Sequence, residues 1–325
     1  MIPPGVAIAA TVLAFALLGY AFEDRARPSL RDWLPRRWPA VVSSATPAPA
    51  TEGHPLRVID LTVSYRSGQH RVLAVDGVSL SVAAGETLGL VGESGSGKST
   101  VAAAACGLLP AAAVMEGGQV LVTGHDLAAL RPDELRALRG DRVALIPQEA
   151  MSALNPVLTI GDQIAEAITA HRPVRIAQAR EGAAELLAQV GLDPARIRDY
   201  PHQLSGGMRQ RVVIAIALAN DPAVVIADEP TSGLDVLVQA GVLDLLDDLR
   251  RRWGLALLVV SHDLPVIERI ADRIAVMRGG QLVEIGPREE IIAAPQHPYT
   301  QHLLATAARL QLPASRVTGA EAGTP

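Results

Sequence analysis

Gly92 to Thr100 reads GESGSGKST, the spacing G-x-x-x-x-G-K-[ST] that wraps a glycine-rich turn around phosphate oxygens. Each residue type has a reason. Small residues let the backbone N–H groups of Gly92, Glu93, Ser94, Gly95, Ser96 and Gly97 turn inward, and a helix after the loop adds positive potential at its amino terminus. The spacing predicts that helix over the alanine-rich stretch Val101–Leu108. Lys98 can reach β- and γ-phosphates, and the Ser99 hydroxyl can ligate Mg²⁺, with Thr100 closing the motif. Lys98 is also the only lysine in the chain, because 28 of its 29 basic residues are arginine. That points to a position needing an ammonium on a flexible stem rather than a planar guanidinium, with codon bias as the competing reading.

Two further segments carry chemistry. Val224-Val225-Ile226-Ala227-Asp228-Glu229 is an apolar run ending in two carboxylates. Asp228 at a strand end can hold Mg²⁺ directly or through water, and Glu229 can polarise a water for in-line attack on a γ-phosphate. Alone, the pair could equally be a helix cap or solvated turn; downstream of a phosphate loop the functional reading prevails. Ser205-Gly206-Gly207, before the apolar helix Val212–Ala219, would expose a hydroxyl and several amides as a second anion-binding surface. A plain capped helix is the alternative. One chain with one phosphate loop has no need for a second grip unless it serves another subunit's nucleotide.

Four aliphatic runs position these residues: Thr87–Val91, Arg142–Ile146, Ala223–Ala227 and Ala256–Val260. Short runs without alternation fit strands buried on both faces, as in a parallel sheet covered by helices. Ligand loops of such α/β sheets lie beyond the carboxyl ends of the strands. There stand the glycine loop, Gln148, Asp228-Glu229 and Ser261-His262.

Composition narrows the class. The 325 residues are 49% hydrophobic and 19% charged with a mean hydropathy of +0.24, which excludes a disordered chain. A net charge of −5 argues against nucleic acid as a partner. The lone Cys106 excludes a disulfide framework or multi-cysteine zinc site and fits a small core residue.

Residues Ile2 to Phe22 carry no charge, and about 20 apolar residues suffice to span a bilayer, so one N-terminal apolar helix is expected. Arg25, Arg27, Arg31, Arg36 and Arg37 follow it and place the rest of the chain in the cytoplasm by the positive-inside rule. Residues 39–55 are rich in Pro, Ala, Ser and Thr and read as a linker. Residues 56–286 form the main domain, and residues 287–325 a tail that begins helical.

The order GESGSGKST, Gln148, LSGGMRQR, VVIADEPTSGLD and Ser261-His262-Asp263 resembles the nucleotide-binding subunit of ATP-binding cassette transporters. The resemblance implies an α/β P-loop cassette with a parallel core sheet, an N-terminal antiparallel β subdomain and an inserted helical subdomain at about 150–204. It implies ATP and Mg²⁺ as cofactors. Tyr65 would stack on adenine, with local strand packing as its alternative. Gln148 would sense Mg²⁺ and the attacking water, and His262 would bond the γ-phosphate. Ser205, Gly206 and Gly207 would grip the γ-phosphate of an opposing protomer, with Asp235 at the dimer contact. The catalytic set is then Glu229, His262, Gln148 and Lys98, and the metal set Ser99, Gln148 and Asp228.

IPQEAMSALNPVLTIGDQI (Ile146–Ile164), YPHQLSGG and HPYTQHLL (His297–Leu304) are similar to importers of di- and oligopeptides and of nickel. They imply a two-cassette dimer, permease subunits, an extracytoplasmic solute-binding protein and a place on the cytoplasmic face of the inner membrane. Nickel or other solute import, and a mechanical non-transport ATPase, are the alternatives. Residues 1–38, from Pro4 to Arg27-Pro28 above all, resemble the last helix and cytoplasmic end of a permease, as if its tail were fused to the ATPase.

Overall fold

The computed structural model describes residues 53–67 and 70–311. The expected membrane helix and its arginine flank (1–38), with most of the linker, lie outside the described residues. Among those described, no helix is long and apolar enough to cross a membrane.

The amino-terminal part is an antiparallel sheet of four strands in the order β2-β1-β4-β5. β1 is Leu56–Ser67, β2 His70–Val82, β4 Ala113–Val122 and β5 His125–Asp126. Leu56, Val58, Leu61 and Val63 of β1 are buried, while Arg57, Asp60 and Arg66 are not, as one apolar face requires. The register of β1 shifts between Val58 and Leu61, where Asp60 takes φ 49°. This bulge lets Leu61 keep the inward face.

The second sheet runs β10-β9-β3-β8-β7-β6. It comprises β3 (Thr87–Gly92), β6 (Val143–Ile146), β7 (Val224–Asp228), β8 (Ala256–Ser261), β9 (Arg273–Arg278) and β10 (Gln281–Pro287). All neighbours pair in parallel except β9 and β10. The four aliphatic runs are therefore strands of one sheet, and β3 and β8 are buried along their whole length. β9 and β10 extend the sheet beyond those four.

Two helix boundaries differ from expectation. The helix after the glycine loop, α1, is Lys98–Ala105 and not Val101–Leu108. Gly97 adopts φ 102° and turns the chain straight into the helix, so Lys98, Ser99 and Thr100 form its first turn. Gly107 at φ 64° ends it, three residues before Pro110. The helix predicted at Val212–Ala219 starts earlier and is Gly206–Ala217.

α2 (Pro132–Leu138) precedes β6. Between β6 and the Gly206–Ala217 helix lie α3 (Ala150–Ala153), α4 (Ile160–Thr169), α5 (Ile176–Gln189) and the 3₁₀ turns Pro194–Arg198 and Pro201–Gln203. Ile160, Ile164 and Ile168 are buried, the i, i+4, i+8 stripe of an amphipathic helix, and α4 packs on α5. The Gly206–Ala217 helix is α6. It is followed by α7 (Val236–Trp253), α8 (Leu264–Ile270), α9 (Arg288–Ala293) and α10 (Pro298–Gln311).

The base of the sheet is fixed by Arg250, a residue that sequence reading did not single out. Its buried guanidinium bonds the Asp247 carboxylate at 2.7 Å, Asp272 at 3.0 Å and the carbonyl of Gly85. Asp272 also accepts the Thr87 N–H at 2.8 Å. The start of β3 is thereby tied to the end of α7.

Candidate active site

β3 delivers the chain into the loop and α1 receives it. Lys98 is only 6% exposed, and its Nζ donates to the carbonyls of Gly92 and Glu93, both at 2.8 Å. Burial pulls its pKa below the ordinary lysine value, opposed by the negative charges of Glu229, Asp228 and Glu93. Gly97 cannot be another residue: its φ is left-handed, and a Cβ would run into the carbonyl oxygen of Ala74 on β2. Gly97→Ala is expected to weaken nucleotide binding about tenfold and lower stability by about 1–3 kcal/mol, read by calorimetric titration and thermal melting.

Three adjacent strand ends meet the loop. Gln148 follows β6, Asp228-Glu229 closes β7 and His262 follows β8. Glu229 adopts φ 48° and is pinned by its own N–H, which donates to Val260 at 2.8 Å. Its carboxylate is held from both sides: Gln148 Nε2 donates to Oε2 at 2.8 Å, and His262 Nδ1 lies 2.8 Å from Oε1. A carboxylate only accepts, so the imidazole carries a proton on Nδ1.

The Ser99 hydroxyl donates to Asp228 Oδ1 at 3.3 Å. Burial pushes the Asp228 carboxyl above its usual pKa and the Glu229 charge adds to this, while the Ser99 bond and Lys98 oppose it. The hydroxyl of Ser99, the carboxylate of Asp228 and the amide oxygen of Gln148 are all hard oxygen donors, which fits Mg²⁺ and not a soft metal.

Lys98, Ser99, Gln148, Glu229 and His262, with Ala74 opposite, line one cavity of about 560 Å³, within the range of small-molecule sites. Ser94, Gly95, Gly97 and Thr100 line it too. Tyr65 does not, but its hydroxyl is 3.2 Å from the Oγ1 of Thr100, which does. Ser205, Gly206, Gly207 and Asp235 are also absent from its lining. Ser205 instead caps α6 by accepting the Met208 N–H, and Asp235 caps α7 by accepting the Val238 N–H at 3.0 Å. These two caps lie together, because Gly207 abuts the Val238 side chain so closely that a Cβ would not fit. Ser205, Asp235, Val236 and Leu237 all face solvent.

Sequence reading missed Ala74, whose carbonyl demands a glycine opposite, and Tyr299, whose hydroxyl accepts the Glu93 N–H at 3.1 Å. Ala74 has no local signal, and Tyr299 stands out only as part of HPYTQHLL, which does not point to the loop. Cys106 is buried and burial pushes its thiol up to about 12, in keeping with an inert core residue.

Residues 75–232 match the family described as ABC transporter, and residues 283–324 match the oligopeptide/dipeptide transporter C-terminal region. The chain is 44% identical over 273 residues to the dipeptide transport ATP-binding protein DppD of Bacillus subtilis (strain 168), covering 83% of this chain and 81% of that one. The chain belongs to the ABC transporter family. The oligopeptide transport ATP-binding protein OppD of the same organism is 42% identical over 273 residues, covering 83% of this ABC chain and 76% of OppD. Among solved structures, a dimeric ATP-binding cassette in a post-hydrolysis state bound to ADP and Pi superposes with a TM-score of 0.64. It shares 30% identity and covers 72% of this chain and 98% of its own. As an ABC cassette of mixed α/β layers, the protein is an ATPase.

Proposed function

We propose that this cassette hydrolyses ATP in the cavity beside Lys98 and thereby powers uptake of di- or oligopeptides through a membrane permease. One observation carries the catalytic part. The Glu229 carboxylate is clasped by Gln148 and His262 at the mouth of the glycine loop, where a general base for an attacking water belongs. The amides from Gly92 to Thr100 cradle the phosphates, and Lys98 releases its carbonyls to meet the β- and γ-oxygens. Tyr65 stacks on adenine. Ser99, Asp228 and Gln148 would hold Mg²⁺, which would supply charge neutralisation to the phosphates. His262 orients Glu229 and bonds the γ-phosphate.

The solvent-facing Ser205, with the part-buried Gly206 and buried Gly207 behind it, closes over the nucleotide of a second cassette, with Asp235 at the same seam. This uses the exposed amino terminus of α6, where Ser205 already accepts the Met208 N–H, as an anion site. The second cassette is an identical copy or a paralogue. The peptide assignment follows the names of the relatives, dipeptide and oligopeptide transport ATP-binding proteins; nickel import and a mechanical ATPase are less favoured. The segment at about 150–204 meets the permease, and a solute-binding protein delivers the peptide from outside. The chain works at the cytoplasmic face of the inner membrane, with residues 1–38 as a permease-tail-like tether, 39–55 as linker, 56–286 as the ATPase domain and 287–325 as the tail.

Native co-purification and reconstitution test this. The tagged chain is expected to bring down permease subunits and a solute-binding protein, and the reconstituted complex to accumulate labelled di- or tripeptides only with ATP. Recovery without a permease, or ATP-driven uptake of nickel in place of peptide, rejects the proposal.

A further inference from the structure

The phosphate loop is held from behind by the carboxyl-terminal part of the chain. Glu284 of β10 organises the turn that starts α10: its two oxygens accept the N–H groups of Gln296 at 2.8 Å and His297 at 3.1 Å. His297 Nδ1 in turn accepts the Tyr299 N–H at 3.1 Å. The Tyr299 side chain fixed in this way is only 4% exposed, and the Arg278 guanidinium lies over its ring, 4.9 Å from the centroid. Its hydroxyl reaches the loop and accepts the Glu93 N–H at 3.1 Å.

Glu93 is thus gripped on both sides of its backbone, by Tyr299 at the N–H and by Lys98 at the carbonyl, 2.8 Å away. The β9–β10 turn supports the same loop, since the Gly280 N–H donates to the Ser96 carbonyl at 3.1 Å. Once Lys98 turns to a bound phosphate, its hold on Glu93 is lost and that of Tyr299 persists.

We infer that Tyr299 is a positioning residue of the nucleotide site, its hydroxyl holding the Glu93 amide so that the glycine loop keeps the shape that receives ATP. The inference rests on the reading of Gly92–Thr100 as the ATP loop. It gives the HPYT element a task in the ATPase itself, in place of a mark of kinship alone. The groups around the attacking water stand at the ends of β6, β7 and β8, whereas Tyr299 touches only the loop entrance. Its loss therefore weakens ground and transition states alike, which raises KM and spares kcat.

Tyr299→Phe in the full chain deletes one oxygen and keeps the ring under Arg278. ATP hydrolysis measured across ATP concentration is expected to show KM raised about three- to tenfold, the scale of one lost hydrogen bond, with kcat within about twofold. The melting temperature should move by no more than about 3 °C. Arg278→Met, which strips the ring stack but leaves the hydroxyl, should keep the parent KM. A Tyr299→Phe variant at the parent KM, or an Arg278→Met variant whose KM rises as far as that of Tyr299→Phe, overturns the inference. If the parent chain itself neither binds nor hydrolyses ATP, the ATP-loop reading fails with it, an outcome separable from the other two.

Discussion

Glu229→Gln is expected to bind ATP about as tightly as the parent and to hydrolyse it about 10²–10⁴-fold more slowly. The substitution is nearly isosteric, and the side chain stays in its slot because an amide can still pair with both neighbours. Its oxygen accepts from Gln148 Nε2, which leaves the Gln148 amide oxygen for the metal, and its nitrogen donates to His262 Nδ1 once the imidazole proton sits on Nε2. The backbone at φ 48° asks no more of glutamine than of glutamate. What disappears is the anionic acceptor for the proton of water. Phosphate release under saturating ATP measures the loss, and calorimetric titration checks that binding survives. With hydrolysis stalled, two nucleotide-loaded cassettes should remain paired long enough to be seen by sedimentation. Turnover within about fivefold of the parent would remove Glu229 from the chemistry.

Lys98→Ala should lower ATP affinity by about a hundredfold or more. Each charge-assisted hydrogen bond from an ammonium to a phosphate oxygen contributes about 1.5–3 kcal/mol, and Lys98 can offer two. Lys98→Arg is expected to fail almost as badly. The ammonium is buried between two carbonyls of a tight loop, and a planar fork cannot take its place there or swing from carbonyl to phosphate on the same stem. Direct titration of either variant with ATP and Mg²⁺ decides the matter, and a dissociation constant equal to the parent's would end the cradle account.

Much of this was visible in the linear text, for physical reasons. Strands walled in by helices on both faces must be aliphatic throughout, so β3, β6, β7 and β8 stand out as runs between turn residues. β9 and β10 do not: arginines bracket β9, and β10 lies at the sheet edge, where polar residues are tolerated. The start of α1 is harder to read because GESGSGKST looks like one loop, yet the need for left-handed backbone ends at Gly97 and the helix begins at once. The clasp on Glu229 follows from the strand order, which sets Gln148 and His262 on either side of it. Ala74 against Gly97, and Tyr299 against Glu93 across 206 residues, are products of tertiary packing alone: HPYT marks the tyrosine, but nothing local announces either contact.

The Glu229 clasp has one more consequence. Its two donors hang from the strands on either side of its own, so the aim of that carboxylate is set by three backbones together, like a sight mounted on a tripod. Bending the sheet, or dragging one leg, swings the line of fire away from the phosphorus. Gln148 is the leg two residues ahead of α3, and a load hung on the helices that follow would tilt it first.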